Sequence, residues 1–186
     1  MDNVRNDRNI RIVLADDHGV VRAGLRALLD SQADMVVVGE AADGPEAVNL
    51  ARTELPTVVI TDLSMPGGGM ETIREIASLG NQTRVLVLTV HAEERYLLPV
   101  LEAGGSGYVR KSSAHTDLID AVRTVAKGEV FLDGRPVAIR SPQEAQRLGI
   151  SLVPEDRKRQ GLVVALSVRE NLSLGVLDRL RRWLGR

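Results

Sequence analysis

Five side chains with chemistry to offer stand at the ends of apolar runs. Asp16 and Asp17 follow IRIVLA, Asp62 follows TVVIT, Thr89 follows RVLVL, and Lys111 follows GYVR. Carboxylates a few ångströms apart raise one another's pKa or recruit a cation. Clustered hard oxygens suit Mg²⁺, which takes octahedral oxygen ligation and keeps several waters. A hydroxyl and an ammonium beside that ion make a site for a phosphoryl group: the charges neutralise its oxygens and the hydroxyl donates one hydrogen bond. A carboxylate in such a site is able to act as nucleophile and form an aspartyl phosphate. Each residue has a plainer explanation when taken singly. An Asp before a helix is an N-cap or is simply solvated, a strand-end Lys is solvated, and Thr favours strands. The chemistry rests on all five converging.

Convergence depends on the elements that carry them. IRIVLA (10–15), MVVVGEA (35–41), TVVITD (57–62), RVLVLTV (84–90) and GYVRK (107–111) read as strands. Between them lie amphipathic segments with helical spacing, such as Val21, Leu25, Leu28 and Leu29. Pro45 opens the second helix, where a missing N–H costs nothing, and Gly80 closes the third. HTDLIDAVRTVAKGE supplies a final helix. Alternating strands and helices with near-continuous apolar strands predict a parallel sheet covered on both faces. The expected fold class is α/β, a flavodoxin-like doubly wound five-stranded parallel sheet of order 2-1-3-4-5 with a C-terminal α/β extension. In that topology the crevice lies at the carboxyl ends of the strands, at the switch between strands one and three. Asp16, Asp17 and Asp62 meet there, with Thr89 and Lys111 beside them.

The chain of 186 residues is 44% hydrophobic and 26% charged, which predicts a packed core. It has no cysteine, so disulfide and thiolate-metal chemistry are excluded. No apolar run approaches the roughly 18 residues of a membrane span, and the polar start MDNVRNDRNI lacks a signal-peptide segment. A cytoplasmic location is the expectation. The net charge of −1 conceals an asymmetry: residues 1–133 hold 13 Lys+Arg against 20 Asp+Glu, whereas 134–186 hold 11 against 5. Such a division points to two parts of different role.

LADDHGVVRAGLRALL, DLSMPGGGMETI, the LT pair ending strand four, GYVRKSS and LIDAVRTVAKGEVFLD together resemble the receiver domain of two-component response regulators, in the wording of the NarL/FixJ class. The resemblance covers about residues 9–133. It implies Asp62 as phosphoacceptor, phosphorylated by a sensor histidine kinase. It implies Asp16, Asp17, Asp62 and the Ser64 backbone carbonyl as Mg²⁺ ligands, Lys111 as the lysine that holds the product, and Thr89 and Tyr108 as the switch pair. Pro66 matches the proline after the phosphoacceptor loop, and Ser112 stands where many receivers have proline. Output through protein contact or a homodimer is expected because no DNA reader is visible, and the receiver itself is expected to have at most weak autophosphatase activity. A flavin-binding flavodoxin fits worse, because DDHG would repel a phosphate. A haloacid-dehalogenase phosphatase fits worse too, because Ser64 occupies the place of its second Asp. His18, His91 and His115 carry no metal-ligand spacing and are read as unremarkable.

From Gly134 the text changes. GRPVAIRSPQEA, GISLVPEDRKRQGLV and SVRENLSL resemble a stretch of the second ATP-binding cassette in sugar-type ABC transporter ATPases. The sequence has no G-x-x-x-x-G-K-[ST] loop, no LSGG-like signature and no Walker B acid, so ATPase activity is not expected. No helix-turn-helix DNA reader is visible. The expected domains are a receiver over 1–133 and an ATPase-like fragment over 134–186. Two other readings stand beside the switch: a non-signalling chimera whose tail blocks the switch face, and a transporter subunit fragment.

Overall fold

A computed structural model describes residues 9–67, 69–90, 97–132 and 134–137. In chain order the elements are β1 (Ile10–Ala15), α1 (Gly19–Asp30), β2 (Met35–Ala41), α2 (Gly44–Glu54), β3 (Val58–Asp62) and α3 (Gly69–Ser78). There follow β4 (Arg84–Thr89), α4 (Leu97–Glu102), β5 (Gly107–Arg110), a 3₁₀ turn (Lys111–Ser113), α5 (Ala114–Ala126), β6 (Val130–Leu132) and β7 (Arg135–Val137).

The sheet runs β2-β1-β3-β4-β5-β6-β7. The first five strands have the expected parallel order, and β6 adds in parallel beside β5 through the pair Gly107–Phe131. The expected count of five strands is corrected to seven among the described residues. VFL and RPV flank an Asp-Gly dipeptide, a strong short-range hairpin signal. Gly134 adopts φ +76°, which that turn requires, and β6 and β7 pair antiparallel from Leu132–Arg135 to Val130–Val137. The boundary expected between residues 133 and 134 therefore falls inside a paired hairpin. In the tail, the expected strand PVAI overlaps β7, while an expected helix over SPQEAQRLG, a strand ISLVP and a last helix through VRENLSLGVLDRLRRWLG lie outside the described residues.

The central strands are buried along nearly their whole length, as helices on both faces demand. One face packs Ile12, Leu14, Val58, Ile60, Leu86 and Leu88 against Leu25 and Leu29 of α1 and Leu118, Val122 and Val125 of α5. Phe131 of β6 joins this cluster at 1% exposure, which anchors the additional strand. Toward the other face, Ala15 and Ala41 pack with Ala47 of α2 and with Met65. Small residues there let α2 approach the sheet closely.

Local signals fix the helices. The Asp43 side chain accepts from the Glu46 N–H at 2.8 Å, and the Glu46 carboxylate accepts from the Ala42 N–H at 2.9 Å. The first bond satisfies a donor that the helix itself leaves unpaired, and the second ties the chain entering the helix to its first turn. The helix ends on Leu55 at φ 46°, the one described non-glycine residue in the left-handed region. Arg123 of α5 grips Asp34 in the α1–β2 connection with two hydrogen bonds of 2.9 Å and also donates to Gln32 at 3.1 Å. Among the described residues, no helix is long and apolar enough to cross a membrane.

Candidate functional site

Parallel register brings the acidic strand ends together. Ala15 pairs with Thr61, so Asp16 and Asp62 leave β1 and β3 side by side. Asp62 pairs with Leu88, which places Thr89 one residue further along β4, and Thr89 pairs with Arg110 just before Lys111. The five candidate residues thus come from four strand ends.

Lys111 is the centre of this arrangement. Its Nζ lies 2.6 Å from Asp16 Oδ2 and donates to Asp62 Oδ2 at 2.7 Å. Both carboxylates are buried, at 0% and 2% exposure, whereas the Lys111 side chain retains 14%. Burial alone pushes the Lys111 ammonium down, but hydrogen bonds and charge attraction from Asp16 and Asp62 outweigh it and raise its pKa above the ordinary lysine value. Asp16 Oδ2 meets the Lys111 ammonium at 2.6 Å and no other donor among the described residues. A buried carboxylate oxygen with a single cationic neighbour keeps lone-pair capacity for a hard cation.

The remaining acidic loop supplies further donors. Asp16 Oδ1 accepts from the His18 N–H at 2.8 Å, which aims its other oxygen toward Lys111. Asp17 is more exposed, and its Oδ1 lies 2.8 Å from His18 Nδ1, which is 3.3 Å from Asp16 Oδ1. One potential ligand atom from each of Asp16, Asp17, His18 and Asp62 falls within 4.8 Å of all the others. The donor set is chiefly hard oxygen and fits Mg²⁺; Asp16, Asp17 and Asp62 would hold the ion.

The loop after β3 is tied down by backbone N–H donors. The Ser64 N–H donates to Asp62 Oδ1 at 3.2 Å, and the Pro66 carbonyl accepts from the Gly44 N–H at 2.9 Å. Thr89 is buried at the end of β4, and Tyr108 is buried in β5 beside Val87. His115 lies exposed on α5, and His91 lies outside the described residues. His18, unremarkable by spacing, touches two of the three carboxylates. Its position directly after the acidic pair was the available signal.

Arg22 is a second residue that residue type and spacing did not expose. One turn into α1, its Nη1 donates to the Asp16 carbonyl oxygen at 2.5 Å, while its Nε donates to Glu40 Oε2 at 3.2 Å. Glu40 also binds Arg26, which donates to Asp30 at 3.3 Å. These contacts fasten α1 along the edge strand β2.

A doubly wound sheet with an acidic triad at its switch point and a lysine bridging two of the acids defines a receiver domain. Comparison with known proteins agrees: a family model described as the response regulator receiver domain matches residues 12–123, and the chain belongs to that family. It is 44% identical over 126 residues to the oxygen regulatory protein NreC of Staphylococcus haemolyticus, a match covering 67% of this chain and 58% of NreC. It is 36% identical over 162 residues to the response regulator UvrY of Escherichia coli, covering 87% of this chain and 70% of UvrY. Among solved structures it is similar to a LuxR-family two-component response regulator from Aurantimonas, with TM-score 0.64 and 38% identity over 76% of this chain and 96% of that one. The receiver domain of RcsB from Salmonella enterica, solved with a phosphomimetic, gives TM-score 0.61 and 33% identity over 75% of this chain and 98% of that one. The chain thus spans less than two thirds of NreC. A 162-residue match is too long for residues 1–133 alone, so the UvrY likeness extends into the tail.

Proposed function

We propose that this chain is a cytoplasmic phosphorylation switch in which a sensor histidine kinase transfers a phosphoryl group to Asp62. The observation that carries the reading is Lys111 bridging the buried carboxylates of Asp16 and Asp62 at adjoining strand ends. A carboxylate oxygen of Asp62 attacks phosphorus, the phosphorus–nitrogen bond of the donor phosphohistidine breaks, and its electron pair stays on the imidazole. Asp16, Asp17, Asp62 and the Ser64 carbonyl would hold Mg²⁺. When bound, that ion neutralises charge on the transferring oxygens. Lys111 stays within reach of both buried carboxylates and offers its ammonium to the new phosphoryl oxygens.

The Thr89 hydroxyl and Tyr108 carry the change outward. A hydrogen bond from Thr89 to the phosphoryl group would draw the end of β4 inward and favour one of two arrangements of the β4–α5 surface. Output then runs through protein contact, including homodimer formation. The domain is a switch with at most weak autophosphatase activity. For the chain beyond Val137 the proposal is a fragment similar to an ATP-binding cassette, on the likeness of GISLVPEDRKRQGLV and SVRENLSL.

A small phosphodonor such as acetyl phosphate, supplied with MgCl₂, is expected to add one phosphoryl group to the full chain by intact mass. Asp62→Asn should remain unmodified, and EDTA should prevent the gain. A wild-type chain that stays unmodified under conditions that load a control receiver would refute the switch.

A further inference from the structure

The Asp16–Asp17 pair leaves β1 and turns into α1 through His18, an N-cap without a side-chain cap bond. The turn therefore needs another anchor if two repelling carboxylates are to face one point. Arg22 provides it. Its guanidinium donates to the carbonyl of Asp16 itself and is held from behind by Glu40 of β2. The planar fork of arginine serves both acceptors from one rigid group, which a lysine would not reproduce. The Arg22 side chain is 21% exposed and that of Glu40 30%, so the bonds are partly shielded from water.

We infer that Arg22 is a positioning residue for the cation: it fixes the Asp16–Asp17 peptide so that the acidic oxygens converge where Mg²⁺ would bind. The inference rests on the Mg²⁺ reading above. It makes an assertion opposite to simple electrostatics. Arg22 carries a positive charge beside a cation site, so Coulomb's law alone says that removing it tightens cation binding. Positioning says that removing it weakens binding, because the ligands lose their common focus. Outer-shell partners of metal ligands typically contribute about 10–100-fold in affinity.

The experiment is calorimetric titration of the full chain with MgCl₂, alongside circular dichroism to establish folding. Arg22→Met keeps the apolar stem and loses both hydrogen bonds, so its fold is the least disturbed. Arg22→Met and Arg22→Ala are each expected to weaken Mg²⁺ binding by about tenfold or more. Arg22→Lys, with one donor for the Asp16 carbonyl, should recover part of that loss. A merely structural role would lower the melting temperature and leave the affinity of the folded protein unchanged. Unchanged or tighter binding in Arg22→Met, with the wild type binding normally, would overturn the role of Arg22 and spare the switch. A wild type that takes up no Mg²⁺ would overturn both.

Discussion

Replacing Lys111 by Met tests the electrostatics of the site directly. The ammonium lies 2.6 and 2.7 Å from carboxylate oxygens of Asp16 and Asp62, which are themselves within 4.8 Å of one another through a pair of oxygens. At an effective dielectric constant of about 20, each attraction is about 6 kcal/mol and the carboxylate repulsion about 3.5 kcal/mol. The variant recovers the desolvation cost of the lysine but leaves two buried anions facing each other. Removing one partner of a buried ion pair typically costs about 3–5 kcal/mol, and that is the expected loss in EDTA. Saturating Mg²⁺ should narrow the gap, because the variant's uncompensated anions bind the ion more tightly than the wild type's. Urea unfolding followed by circular dichroism, in EDTA and in MgCl₂, reads both quantities. A loss below about 1 kcal/mol in EDTA, or a gap that Mg²⁺ leaves unchanged, would refute the argument. The same ammonium sets an alkaline limit. With its pKa raised in the folded state, its contribution is fully present below the ordinary lysine value of about 10.4 and is lost as pH climbs through the folded value. Lys111→Met should flatten that alkaline decline.

Three further outcomes follow from the scaffold. Phe131→Ala, at a position 1% exposed, should cost about 3–5 kcal/mol in urea unfolding, and amide exchange should show β6 losing protection. Leu55→Gly should stabilise the fold by about 1 kcal/mol, because it relieves a left-handed φ of 46° at a residue 62% exposed; a lower urea midpoint would count against strain there. Hydrogen bonds from Arg123 hold the Asp34 carboxyl below its usual range, so its contribution is present above about pH 3.9 and is lost as pH falls through the lower folded value. Arg123→Met should remove that part of the acid dependence, measured as unfolding midpoint against pH.

The order of the first five strands was legible because each is a short, largely apolar run, and four of them end at a polar residue with chemistry to offer. Alternation with helices leaves few topologies for such runs. The site was legible for the same reason: in a parallel sheet, strand ends are where side chains from distant segments meet. The sixth strand was not read, and PVAI was read as a strand of the tail rather than as the partner of VFL, although VFL-DG-RPV carried a hairpin signal. Three-residue strands have too little periodicity to stand out, and it is burial of Phe131 against α5 that holds them. His18 and Arg22 were passed over because their roles are made in three dimensions. Arg22 acts through a backbone carbonyl and a glutamate 18 residues away, and neither leaves a mark in local spacing.

The architecture also explains why a repelling acidic pair is tolerable here. Burial of Asp16 and Asp62 would be prohibitive alone, so the fold brings compensation from three directions: Lys111 from β5, the His18 N–H from the turn, and the Arg22 guanidinium on the adjoining carbonyl. Lys111 is the one cationic contact of Asp16 Oδ2 among the described residues, so a ligand that draws the ammonium away must bring positive charge of its own to the two carboxylates.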